Sequence, residues 1–265
     1  MADRPILFSA PMILGLLQGR KMQTRRVLTR NNSSFGSAPR SYWDHADFSK
    51  AYPENGYLHV PCHASDSRDG IASCPRCDEM GWDGTVHRLW PKWEIDDRLW
   101  VREAHYLTDD GDNELAVYAE DEASVRQHLA QISSLEDRHV AANWSRHKKL
   151  RPSIHMPRWA SRLTLVVENV RVQRLQDISE ADAMAEGVEM ESADPPFYYV
   201  PGIFPHSRTA VGVEEPGHVP HAVRSYAKLW SEINGPGSWE SNPWIIALTF
   251  HVIKANIDAD EARAA

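Results

Sequence analysis

Between Leu163 and Leu175 the chain alternates apolar and polar residues, with Leu163, Leu165, Val167, Val170, Val172 and Leu175 at the apolar positions. A period of two describes a strand that buries one face. The phase slips once, near Asn169, as it does where an extra residue makes a β-bulge. Trp244–Ile253 is the strongest strand in the sequence, and Leu99–Tyr106 and Leu115–Tyr118 read as further strands. Helical segments are few. Ala10–Gln18 has Ser9 as its N-cap, Pro11 in its first turn and Gly19 just past its end. Ser179-Glu180-Ala181-Asp182 resembles a capping box opening a helix to Glu186, with Gly187 as its stop. His221–Ile233 is amphipathic and ends at Asn234-Gly235, and Ala123–Arg138 has helical composition. Residues 30–60 and 191–220, rich in turn-forming residues, read as irregular excursions. Strands with few helices and no βαβ regularity predict a mixed α/β (α+β) fold, a β-barrel with flanking helices and long insertions.

A chain of 265 residues can bury a substantial core. The expected organisation is one domain over residues 1–255, with insertions at about 30–92 and 190–220 and a flexible tail at 256–265. A net charge of −8 argues against a sequence-independent nucleic-acid binder, which displaces counterions with a basic excess. The charge is uneven, however. Arg20 to Arg30 and Arg146 to Arg162 are basic and leave room for a local basic groove. No apolar run approaches 20 residues, so no membrane partner is expected. Met1-Ala2-Asp3-Arg4 lacks a signal-peptide pattern, and three cysteines are an odd number for a disulfide framework. A cytoplasmic protein is the expectation.

The chemistry concentrates in Gly19-Arg20-Lys21-Met22-Gln23-Thr24-Arg25-Arg26. A threonine hydroxyl is a weak nucleophile unless a base takes its proton. A lysine can be that base where burial or neighbouring charge lowers its pKa. On a regular strand, positions 21 and 24 face opposite ways. Joint action on one substrate therefore requires a turn, a bulge or a frayed helix end at Lys21. The plain alternative is a solvated basic turn.

Three later blocks accompany this one: Asp96-Asp97-Arg98-Leu99-Trp100-Val101-Arg102-Glu103, the segment Gln176 to Gly187, and Asn242-Pro243-Trp244 through Phe250. In this order the four blocks resemble the ASCH family, whose domains have a PUA-like β-barrel fold. The likeness is greatest to its large phage and prophage members, and covers residues 4–30, 93–104, 151–190 and 224–252. The family's usual Gly-Asp before its second strand is Asp96-Asp97 here. Some small ASCH proteins are amidohydrolases that remove the acyl group from N4-acetylcytidine and related N4-acylcytosines with a threonine, lysine and glutamate triad. By resemblance Thr24 is the nucleophile, Lys21 the base and Glu186 the carboxylate that orients the lysine. The expected substrate is a small nucleoside or nucleobase. Arg26, Trp100, Tyr106 and His155 are the candidate substrate contacts, and Trp93 and Trp159 are further aromatics that could stack on a base.

A second constellation is Cys74-Pro75-Arg76-Cys77, preceded by Cys62. A C-x₂-C turn presents two thiolates to a zinc ion, and His87 or His63 could complete the set. Structural zinc, inert thiols and redox chemistry are the three readings of these cysteines, and the lysine–threonine chemistry needs no cofactor. Two function classes follow: an N4-acylcytidine amidohydrolase, or a non-catalytic PUA-like module of phage type that binds RNA or DNA.

Overall fold

The computed structural model describes residues 2–35, 43, 46–54, 57–61, 71–73, 80–82, 86–109, 114–119, 149–193, 196–201 and 221–259. Its centre is a five-stranded sheet built from β1 (Asp3–Leu7), β2 (Gln23–Val27), β9 (Arg98–Arg102), β12 (Thr164–Arg174) and β15 (Trp244–Ile253), in the spatial order β1-β9-β12-β15-β2. Only β1 and β9 run parallel; the other neighbours are antiparallel. The longest ladder joins β12 to β15, from Thr164↔Ile253 to Arg174↔Trp244. Its register shifts between Val167 and Asn169, the bulge that the sequence phase implies.

The fold is a mixture of many strands and few helices. Among the described residues the sheet is open and no barrel closes. β1 and β2 are its edges, and the connection between them is helix α1 (Ala10–Leu17), which turns Met12, Ile13 and Leu16 into the core. The helix stops at Gly19, whose φ of 73° lies in the left-handed region that glycine enters without strain. Ser9 precedes the helix, but its side chain forms no cap hydrogen bond; its carbonyl accepts from Met12 and Ile13.

Helix α2 (Glu180–Ala185) starts as its sequence implies, with the Ser179 hydroxyl accepting the Asp182 N–H at 3.1 Å. Helix α3 (His221–Asn234) buries Ala222, Val223, Tyr226, Leu229 and Trp230.

The excursion expected at 30–60 contains ordered strands. β3 (Ser33–Ser34), β4 (Tyr52–Glu54), β5 (Tyr57–Pro61) and β8 (Val86–Pro91) form a four-stranded sheet in the order β3-β8-β5-β4. Leu58, Val60 and Leu89 are fully buried and belong to the same apolar core as Leu165, Leu175 and Trp244. Turn-forming composition hid these strands because they are short and owe their order to that shared core. β6 (Ile71–Ser73) pairs with β7 (Met80–Trp82).

The single strand expected over Leu99–Tyr106 is two. β9 ends at Arg102, and β10 (His105–Asp109) begins a hairpin with β11 (Glu114–Tyr118). The break falls where the Glu103 carboxylate turns inward to the Arg162 guanidinium at 2.9 Å. Another hairpin, β13 (Glu189–Ala193) with β14 (Pro196–Tyr199), occupies the start of the second excursion. The helix expected at Ala123–Arg138 lies outside the described residues.

Asp96-Asp97 keeps the turn into β9. Asp96 takes φ 67°, a conformation in which glycine would be unstrained. Asp97 is buried and accepts from the Ala2 N–H at 2.7 Å, the Glu94 N–H at 3.2 Å and the Arg4 guanidinium at 3.2 Å.

Candidate active site

Lys21 lies in the turn between α1 and β2, and Thr24 is the second residue of the strand. The backbone there is irregular, as joint action of the two residues requires. The N–H groups of Arg20 and Lys21 both point to the Gly15 carbonyl, at 2.9 and 3.1 Å, and that of Met22 to the Ala185 carbonyl at 2.8 Å. This last bond docks the C-terminal end of α2 on the turn. A Cβ at Gly15 would stand 3.3 Å from the Lys21 Cβ, so the close approach of α1 to this turn uses the absence of a side chain there.

Docking brings Glu186, the C-cap of α2, to Lys21. The Lys21 ammonium donates to Glu186 Oε2 at 2.5 Å and to the Glu186 carbonyl at 3.0 Å. The side chains are 2 % and 4 % exposed. A helix C-terminus carries partial negative charge, so the carbonyl and the carboxylate act on the ammonium in the same sense. An ammonium has three N–H donors, and two are used here. Burial pushes the Lys21 amine below its ordinary value of 10.5, Glu186 pulls it back up, and the charges of Arg26 and Arg25 push it down again.

Arg25 holds the other side of the carboxylate. Its Nη1 donates to Glu186 Oε1 at 3.0 Å and to Gln23 Oε1 at 3.2 Å. Its Nη2 lies 3.1 Å from Asp182 Oδ2, an ion-pair distance without hydrogen-bond alignment. Asp182 also accepts from Gln23 at 2.8 Å and from Arg171 at 3.0 Å. Burial works to raise the Asp182 carboxyl, but the bonds from Arg171 and Gln23 and the charges of Arg25 and Arg171 hold it below its ordinary 3.8. The Tyr226 ring lies 5.8 Å from the Arg25 guanidinium, and burial together with Glu186 raises its phenol well above 10.0.

Lys21, Thr24 and Glu186 all line one cavity of about 450 Å³, within the range of small-molecule sites. It opens between the two edge strands of the central sheet. β1 contributes Pro5, Ile6 and Leu7; β2 contributes Thr24 to Val27. Phe8, Met12 and Trp93 add apolar surface. α3 supplies a stripe at helical spacing, Tyr226, Leu229, Trp230 and Ile233. Thr24 is 4 % exposed, and its hydroxyl makes no hydrogen bond among the described residues.

Of the four candidate substrate contacts, Arg26 lines the cavity. Its guanidinium donates to the Leu7 carbonyl and lies 5.1 Å from the Phe8 ring. The other three do not line it. Trp100 alternates with the core residues Leu99 and Val101 on β9, one strand in from the cavity edge; it faces away from the core and packs under Arg102 at 5.2 Å. Tyr106 is on the β10–β11 hairpin. His155 sits exposed on a short 3-10 turn, Ser153–His155. Trp93 reaches the cavity, whereas Trp159 is exposed elsewhere. Cys62, Cys74 and Cys77 lie outside the described residues, as does His63, and His87 is described only as a backbone position of β8. Among the described residues no group of three metal-ligating side chains occurs.

Arg25, Gln23, Asp182 and the α3 stripe were not singled out from the sequence. Two signals for them were present. Lys21, Gln23 and Arg25 recur at intervals of two, and Asp182 and Glu186 stand four apart, which puts both carboxylates on one face of a helix. Comparison with protein-family models, with curated proteins and with solved structures finds no match for this chain.

Proposed function

We propose that this protein is an amidohydrolase acting on N4-acylated cytosine, with Thr24 as nucleophile, Lys21 as base and Glu186 as the carboxylate that orients it. One observation carries the reading. Lys21 and Glu186, 165 positions apart, form a buried pair in the same cavity wall as a threonine hydroxyl that has no hydrogen-bond partner among the described residues. A binding groove has no need for a carboxylate and a desolvated lysine beside such a hydroxyl. The four sequence blocks supply the chemical class, through their resemblance to the PUA-like ASCH proteins.

In this mechanism the neutral Lys21 amine takes the proton from the Thr24 hydroxyl. The hydroxyl oxygen attacks the acyl carbon and the carbonyl electrons move to oxygen. When they return, the C–N bond breaks and the Lys21 ammonium gives its proton to the departing cytosine amine. Water, deprotonated by Lys21, then hydrolyses the Thr24 ester. The oxyanion requires donors. The N–H groups of Arg20, Lys21 and Met22 are already bonded. The Arg26 guanidinium, on the cavity wall without a carboxylate at ion-pair distance among the described residues, takes that role. The acidic limb of the activity profile reflects Lys21, so activity rises with pH as the amine loses its proton.

The test is cytidine release from N4-acetylcytidine. Wild type releases it, Thr24→Ser retains part of the rate and Thr24→Ala loses nearly all. Full activity in Thr24→Ala removes the nucleophile assignment.

A further inference from the structure

Beside the cavity mouth stands a row of cations of which the amidase chemistry uses only Arg26. Leu7, 38 % exposed, forms part of the cavity rim. Arg26 reaches the Leu7 carbonyl from β2. On the other side Leu7 is in parallel register with Arg102. In-register residues on paired strands share a face at about 4.8 Å. Arg102 in turn reaches the carbonyl of Ile154, in the turn that carries His155, and lies over the Trp100 ring. Arg151 is bridged to His105 by backbone bonds of 3.1 and 2.8 Å. Burial holds the His105 imidazole below its ordinary value; the bond with the Glu103 carbonyl works against that, and the charges of Arg151, Arg102 and His155 add to it.

No carboxylate among the described residues pairs with Arg26, Arg102, Arg151 or His155. Most other described arginines are paired: Arg4 meets Asp97, Arg98 meets Asp3, Arg158 meets Asp3 and Asp258, Arg162 meets Glu103, and Arg171 meets Asp182; Arg88 and Arg174 lie instead over aromatic rings. In a chain of net charge −8, a row without carboxylate partners among the described residues, beside a cavity, is an anion site by charge complementarity. Arg102 Nε and His105 Nε2 are buried without a hydrogen-bond partner in the same neighbourhood. Guanidiniums bind phosphate oxygens in pairs, and the strength of such bonds comes from the ionised acceptor.

We infer that Arg102 and Arg151, with His155 beside them, form a phosphate subsite at the cavity mouth, so that the ligand is a cytosine nucleotide and not a free nucleoside. This rests on the cytosine reading of the cavity. The base enters between β1 and β2, and the phosphate stays outside against β9 and the residue 151–155 turn. The phosphate can belong to a mononucleotide or to a strand.

Binding of cytidine, of 5′-CMP and of a fluorescein-labelled oligocytidylate to the full chain tests this, with N4-acetylcytidine hydrolysis measured in parallel. Wild type should bind 5′-CMP about tenfold or more tighter than cytidine, the scale of one charge-assisted contact. Arg151→Glu, at an exposed position, and Arg102→Gln should each bring 5′-CMP towards the cytidine level and leave cytidine unchanged. A strand ligand would show as oligocytidylate binding tighter than 5′-CMP with a steeper salt dependence; equal binding assigns the site to the mononucleotide. Equal affinity of wild type for cytidine and 5′-CMP, or a 5′-CMP preference that survives both variants, overturns the subsite. Hydrolysis without that preference overturns the subsite alone. The preference, lost in Arg151→Glu but without hydrolysis, overturns the amidase reading and leaves the subsite standing.

Discussion

Replacing Glu186 by Gln preserves side-chain shape and removes one buried charge. Two cations then lose their shared partner: Lys21, at 2.5 Å, and Arg25, at 3.0 Å. Breaking a buried ion pair from one side costs about 3–5 kcal/mol, because the remaining charge is left desolvated. Arg25 keeps Asp182 at 3.1 Å and Gln23 at 3.2 Å, and Lys21 keeps the Glu186 backbone carbonyl at 3.0 Å. The loss should therefore fall at the lower end, about 3 kcal/mol at neutral pH. It should also depend on pH in a defined sense. The folded-state pKa of Lys21 is already depressed by burial, and removing Glu186 depresses it further. Between that lowered value and the ordinary 10.5 the unfolded chain binds more protons than the folded one, so stability rises with pH. The Glu186→Gln penalty should shrink as pH rises from 7 towards 10, as Lys21 escapes its cost by losing a proton that Arg25 cannot lose. Urea unfolding followed by far-UV circular dichroism across that range measures it. A double-mutant cycle with Lys21→Met should show at least about 1 kcal/mol of coupling. A penalty below about 0.5 kcal/mol, the scale of an ordinary surface substitution, and independent of pH would refute the buried pair and the triad with it.

Asp96→Gly should raise the unfolding free energy by about 0.5–1 kcal/mol, since φ 67° suits glycine, whereas Asp96→Val should lower it; the reverse order in urea denaturation would mean that the turn is not left-handed. His105 is buried with its imidazole held below the ordinary 6.5 by burial, so its contribution to stability is present above that value and is lost as pH falls through the folded-state pKa. His105→Asn should flatten the acid decline of the unfolding free energy below pH 6.5, and an unchanged slope would assign the decline to other groups. If Cys62, Cys74, Cys77 and His87 hold structural zinc, the purified protein should contain about one equivalent of metal and chelation should leave the β12–β15 core folded; metal-free protein with freely titrating thiols would retire that site.

Local physics made several elements legible in the sequence. The alternation of β12 and its slip at Asn169, the Ser179 cap, the glycine stops after α1 and α2, and the limits of β15 all depend on neighbours in the chain. The Lys21–Thr24 turn was legible for the same reason, since a strand could not have served both side chains. Tertiary packing decided the rest. Open edges at β1 and β2 place the cavity between strands that adjoin in sequence but not in the sheet, which no periodicity encodes. Trp100 missed the cavity because β9 lies behind the edge strand β1 in the sheet, and His155 because the course of the 151–160 segment is set by what packs on either side. Arg25 gained its place on Glu186 only when α2 docked on the turn, 161 positions away along the chain. Sequence determines which residues can carry charge, cap a helix or alternate along a strand; the fold determines which of those charges lose water together, and a lysine's value as a base depends on that loss.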